Sequence, residues 1–109
     1  MSYQHASLAA GRWQTLPLAE QLANVGSDVA RAHQWQEKDP QLCEKAFVRA
    51  LELLDLMIGD PRWRGRRNEL TRARELLYDA MLGGKEYGSD LAGLDRYFYP
   101  FAVAARAGR

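Results

Sequence analysis

The densest chemistry in this chain lies between positions 62 and 74. Arg62, Trp63, Arg64, Arg66, Arg67, Arg72 and Arg74 place six guanidinium groups and one indole within thirteen residues. Guanidinium is a planar fork that grips phosphate through two parallel hydrogen bonds, and it stacks on bases. Tryptophan adds a stacking platform. A basic run with an interleaved aromatic at a helix entry therefore predicts contact with RNA or another single-stranded nucleic acid, or with an acidic partner. A plainer use of the same residues competes with this. Arg72 lies three residues from both Glu69 and Glu75, and pairs at that spacing stabilise an exposed helix modestly. Trp63 falls at the edge of an inner helix face, where it would pack. Arg67, Arg74 and Tyr78 share one flank, the surface offered to a phosphate backbone.

Catalytic chemistry finds little support. The only imidazoles and thiol are His5, His33 and Cys43. No Cys-x-x-Cys, His-x-x-x-His or Glu-x-x-His pair occurs, so no metal is expected. Cys43 falls on an apolar helix face, where a thiol is inert filler rather than a nucleophile. His33 with Glu37 one turn later could serve as a base, but a hydrogen-bonded imidazole at a helix edge is the simpler reading. One class of helical ribonuclease uses Arg-x4–6-His. The Arg31-Ala32-His33 spacing is wrong for it, and no histidine follows the later arginines. No glycine-rich phosphate loop is present, and no cofactor is expected.

The 109 residues suit one domain with a modest core. The composition, 47% hydrophobic and 27% charged, belongs to a globular chain rather than a disordered one. A net charge of +1 creates no bulk field for a polyanion. The charge is unevenly placed: residues 1–59 sum to −2 and residues 60–109 to +3. A lone cysteine excludes an intrachain disulfide and suggests a reducing, cytoplasmic setting. The N-terminus lacks the basic start and apolar stretch of a secretion signal. No stretch approaches the roughly 20 apolar residues of a membrane span.

Four helices must position these groups. Residues 1–15 form a tail in which Trp13 could fold back onto the bundle, and residues 16–109 form the bundle itself. The first helix starts near Leu16, with Thr15 as cap and Pro17 in the first turn. Leu18, Leu22, Val25, Val29 and Ala32 form its apolar stripe. Ala19, Ala23, Gly26 and Ala30 form a second stripe small enough for close helix approach. Asp39-Pro40 opens the second helix, which runs to Ile58 with Gly59 at its end. Asp60-Pro61 repeats the start signal, with a short turn before a third helix from about Arg66 to Leu82. Gly83-Gly84 ends that helix. Ser89 caps the fourth, with Asp90 in its first turn. Pro100 is expected to kink that helix or end its regular part. No strand pattern and no internal repeat occur. Short links favour antiparallel neighbours, so the predicted fold is an all-α, antiparallel four-helix bundle.

The second helix is apolar around more than half its circumference, more than one neighbour needs. It is either the central helix or a contact with a second subunit. A homo-oligomer is expected, with Phe47, Leu51, Leu54, Ile58, Tyr97 and Tyr99 as interface, because aromatics are enriched at such contacts.

Three runs carry a family resemblance: LAEQLANVGSDVARAHQW (Leu18–Trp35), KAFVRALELLDLMIGDPRWRGRRNELTRARELL (Lys45–Leu77) and LDRYFYPFAVAAR (Leu94–Arg106). Together they resemble small bacterial helical-bundle proteins of unassigned function, akin to the accessory proteins of reverse transcriptases in diversity-generating retroelements. The resemblance implies a non-enzymatic, oligomeric adaptor that holds RNA and a reverse transcriptase. It assigns no catalytic residue. The reading that combines all of this is a self-associating adaptor touching nucleic acid through its arginine-rich helix. A pure protein-interaction or structural module is the alternative.

Overall fold

The computed structural model describes residues 11–107. Four α-helices make up most of this span: α1 (Leu18–Trp35), α2 (Pro40–Ile58), α3 (Arg67–Met81) and α4 (Leu91–Ala107). Two 3-10 segments, Trp13–Thr15 and Pro61–Arg66, precede α1 and α3. No strand occurs among the described residues, and the fold is all-α.

The helices start where side chains can satisfy their free N–H groups. Asp39 caps α2 by accepting from the N–H of Gln41 and Leu42 at 3.1 and 3.2 Å. Asp60 caps the second 3-10 segment by accepting from the N–H of Arg62 at 2.9 Å. Both aspartates precede a proline that lacks the N–H a first turn would leave unpaired.

Two boundaries differ from expectation, and at Pro100 one of the two expected outcomes is excluded. The N-cap of α1 is Pro17, one residue before Leu18, and Thr15 instead closes the preceding turn by donating to the Arg12 carbonyl at 2.7 Å. At α4 the cap is Asp90, whose Oδ1 accepts from the N–H of Gly93 at 2.7 Å. Ser89 is engaged elsewhere. Its hydroxyl lies 2.8 Å from the Leu76 carbonyl and 2.7 Å from Asp79 Oδ2. Lastly, α4 does not end at Pro100 but continues to Ala107. Pro100 lies on the exposed side, where water can reach the carbonyl that proline leaves without a donor.

Contacts between distant residues fix the helix directions. Cys43 at the start of α2 meets Met81 at the end of α3, with sulfur atoms 4.0 Å apart. His33 near the end of α1 lies 3.7 Å from Asp95 near the start of α4. Tyr97 of α4 reaches back to Glu69 of α3 at 3.2 Å. Neighbouring helices run antiparallel, and the architecture is a four-helix bundle.

The centre of the bundle is α1, which packs along both α2 and α4. Its small-residue stripe explains the α4 side. A Cβ on Gly26 would sit 2.7 Å from the Cβ of Phe98, closer than two carbon atoms can pack. The core joins Leu22, Val25 and Val29 of α1 with Leu53, Leu54 and Met57 of α2, Leu77 of α3 and Phe98 of α4. Each such residue contributes roughly 1.5–3 kcal/mol through burial. Trp13 is completely buried among them, so the core reaches back beyond position 16. Residues 1–10 of the expected tail lie outside the described residues.

Most of the wide apolar surface of α2 is covered within the chain, while Leu42 in its first turn is exposed. Leu54 is fully buried and Leu51 nearly so. These two expected interface residues have nothing to present to a second copy. Phe47 and Ile58 are half-buried against the same core. Only Tyr97 and Tyr99 of the expected set are exposed. No helix among the described residues is long and apolar enough to cross a membrane.

Candidate functional site

The arginine run does not form one surface. Arg62 folds onto Asp60, with its Nε and Nη2 at 3.2 and 3.0 Å from Asp60 Oδ2, and donates from Nη1 to the Leu16 carbonyl at 3.0 Å. Burial pushes the Asp60 carboxyl up, but the hydrogen bonds from Arg62 outweigh it and hold the group below the usual carboxylate range. Trp63 is half-buried. Its indole N–H donates to Gln21 Oε1 at 2.7 Å, and the Arg62 guanidinium covers its ring at 4.5 Å. The side chain that could have stacked on a base is engaged on its edge and on one face.

The remaining members point in different directions. Arg66 pairs with Glu69 at 3.3 Å. Arg67 donates to the Ile58 carbonyl at 3.0 Å, tying α3 to the end of α2. Arg72 lies 3.7 Å from Glu75 and covers the Tyr87 ring at 4.3 Å. Arg74 donates to Asp55 Oδ1 across the helix pair at 2.7 Å and covers the Tyr78 ring at 5.0 Å. The hydrogen bond to Asp55 holds the Arg74 guanidinium above its ordinary pKa. Only Arg64 of the run has no hydrogen bond, ion pair or ring contact among the described residues. The expected flank of Arg67, Arg74 and Tyr78 does exist on one side of α3, but it lies along α2: Arg67 reaches the Ile58 carbonyl, Arg74 reaches Asp55, and the Tyr78 ring meets Phe47 at 5.3 Å.

The catalytic alternatives come no closer. Cys43 is buried, and burial pushes its thiol up, away from the reactive thiolate. His33 lies near Asp95 in an exposed setting, and the hollow beside it is lined by Gln34, Gln36, Glu37 and Lys38 without an arginine. Among the described residues no group of three or more His, Cys, Asp or Glu could hold a metal ion.

Two concave surfaces do stand out. The first, of about 370 Å³, surrounds the end of α3 and is lined by Tyr78, Leu82 and Tyr87 with Arg74, Lys85 and Glu86. Leu82 is 72% exposed there, Tyr87 45% and Tyr78 39%. The loop that carries Tyr87 is held by the buried carboxylate of Asp79, which accepts from the N–H of Glu86, Tyr87 and Ser89 at 2.9, 3.1 and 3.1 Å. Gly84 lets the chain enter that loop. Its φ is +73°, and a Cβ would lie 2.6 Å from the Ser89 carbonyl. The second surface is a groove of about 470 Å³ between α3 and the first half of α4. Because α4 packs closely on α1 and only lightly on α3, the α3–α4 seam stays open.

No family model, curated protein or solved structure matches this chain. Its surfaces are therefore read from their own chemistry.

Neither Leu82 nor Tyr87 was among the expected site residues. One signal was available: a leucine immediately before Gly83-Gly84 stands at the helix terminus, where an apolar side chain has no turn of helix left to bury it.

Proposed function

We propose that this chain is a non-enzymatic helical module that binds another protein through the Tyr78–Leu82–Tyr87 surface at the end of α3. The observation that carries this reading is the convergence of three exposed apolar side chains on one hollow held in shape by Asp79. Contiguous exposed apolar surface with a polar rim marks interaction sites. Tyrosine and arginine are the residues that most often dominate their energetics. The two arginines nearby brace the tyrosine rings rather than reach outward.

A nucleic-acid contact is the second reading, favoured by Arg64 and Arg67, whose charges no carboxylate offsets among the described residues. Under the retroelement resemblance, a reverse transcriptase is the first partner to try for either reading. Self-association remains part of the proposal, with Tyr97 and Tyr99 as exposed contacts, and a reducing cytoplasm suits the lone buried Cys43.

A photo-crosslinking residue placed at Leu82, with Asn24 as the control position, tests the first reading in cells. Discrete protein adducts from position 82 alone support it. Adducts that disappear on ribonuclease treatment, or no adducts, argue against it. Fluorescence-anisotropy titration of single-stranded RNA and duplex DNA at two salt concentrations tests the second. Salt-sensitive binding that is lost in Arg64→Glu/Arg67→Glu would establish a phosphate contact, since such contacts release counterions.

A further inference from the structure

We infer that the groove between α3 and α4 is a binding site for a small organic anion with an apolar, planar body, such as an aromatic carboxylate. This site is separate from the Tyr78–Leu82–Tyr87 surface and does not depend on that surface's role. Its volume of about 470 Å³ falls in the range of small-molecule sites, about 300–1,000 Å³. Ala73 and Leu76 of α3 and Leu94 of α4 line it, and the Tyr97 ring stands at its side. Gly93 lies in its α4 wall, beside the Asp90 cap and Arg96. A Cβ there would lie 2.9 Å from Asp90 Oδ1 and 3.7 Å from Arg96 Nη2.

The charges at the rim decide the ligand's sign. Glu69 is engaged at both oxygens, by Arg66 at 3.3 Å and by the Tyr97 hydroxyl at 3.2 Å. Asp90 caps α4 through Oδ1 and has no ion pair among the described residues, so an anion would seat on the Arg96 side of the groove, away from it. Arg72 is drawn toward Glu75 and Tyr87. Arg96 has no ion pair or hydrogen bond among the described residues, and its guanidinium lies back over Gly93 at the groove edge. The groove thus offers apolar surface, one aromatic wall and one unengaged guanidinium. A carboxylate on a flat apolar body matches all three, because guanidinium and carboxylate form paired, charge-assisted hydrogen bonds.

The test is a titration of the full chain with 2-naphthoate, followed by amide correlation spectra and by calorimetry, with neutral 2-naphthalenemethanol as the control ligand. The expected result is saturable one-to-one binding, with shifts concentrated at Ala73, Leu76, Gly93 and Leu94. Arg96→Gln should weaken naphthoate binding about tenfold, the size of one charge-assisted contact, and leave the neutral ligand unaffected. Arg72→Gln should change it less than Arg96→Gln does. Arg96 is exposed, so the variant should keep its fold, and its amide spectrum checks this directly. No saturation at millimolar naphthoate, shifts centred elsewhere, or equal binding by wild type and Arg96→Gln would each overturn the assignment.

Discussion

Trp63 and Gln21 are joined by a 2.7 Å hydrogen bond from the indole N–H to the amide oxygen, across 42 positions of sequence. Gln21 is completely buried, and its amide nitrogen donates in turn to the Trp13 carbonyl at 2.7 Å. One side chain therefore ties the segment before α1 to the turn before α3. Replacing Gln21 by Leu roughly keeps the volume but leaves the Trp63 indole N–H without its partner and removes one of the two hydrogen bonds to the Trp13 carbonyl, which the Leu16 N–H still holds at 3.1 Å. An unsatisfied group costs about 1–3 kcal/mol. Urea denaturation should show Gln21→Leu destabilised by about 1–3 kcal/mol. Stability equal to wild type would show that the linkage contributes nothing.

Two glycines should respond oppositely to alanine. At Gly26 alanine gains about 1 kcal/mol of helix propensity. Its Cβ would stand 2.7 Å from Phe98 Cβ, and separating α1 from α4 costs about 1–3 kcal/mol. The clash prevails because Phe98 Cβ is fixed to its backbone. At Gly65 an added Cβ would meet nothing within 4 Å, and the backbone there has no positive φ. Gly65→Ala should stabilise by about 0.4–1 kcal/mol by restricting the unfolded chain. Thermal melts of the two variants check both signs.

The Asp79 carboxylate makes stability depend on acid. Burial pushes its pKa up, and hydrogen bonds from the Ser89 hydroxyl and from the N–H of Glu86, Ser89 and Tyr87 outweigh this and hold it below the ordinary 3.8. A depressed folded pKa stabilises above the unfolded value and loses that contribution as pH falls through the folded one. Unfolding measured from pH 5 downward should show wild type losing stability below about pH 4. Asp79→Asn should start less stable at neutral pH and fall less steeply. Asp60, also held low, contributes to the same window in both proteins, so the difference between the curves isolates Asp79.

The Arg74–Asp55 pair is short, at 2.7 Å, but its side chains are 33% and 48% exposed. Solvent screens such a pair, and exposed pairs are worth about 0.2–1 kcal/mol. A double-mutant cycle with Arg74→Ala and Asp55→Ala should give a coupling of about 0.5 kcal/mol that shrinks in high salt. A coupling insensitive to salt would mean that Arg74 acts mainly by covering Tyr78.

Local signals in the sequence were enough for the elements. The apolar spacing of Leu22, Val25, Val29 and Ala32 marks the buried face of α1, and all four are buried. Asp39-Pro40 and Asp60-Pro61 mark two helix starts because capping involves only neighbours in the chain. Where two capping residues stood together, the local signal failed. Ser89 and Asp90 could each cap α4, and the choice was made by Asp79, ten residues from Ser89, which draws the serine to itself.

The sequence by itself determined an all-α chain, four helices with their apolar faces, and a cluster of arginines. Tertiary structure alone decided that α1 is the central helix, that Leu51 and Leu54 face inward, and that Arg62 and Arg74 meet Asp60 and Asp55. It also decided that the α3–α4 seam stays open. The reason is range. Helix formation and capping are set within a few residues, so they can be read in order along the chain. Whether a guanidinium meets a carboxylate, a ring or solvent depends on which helices come together, as with Arg74 and Asp55, or Trp63 and Gln21.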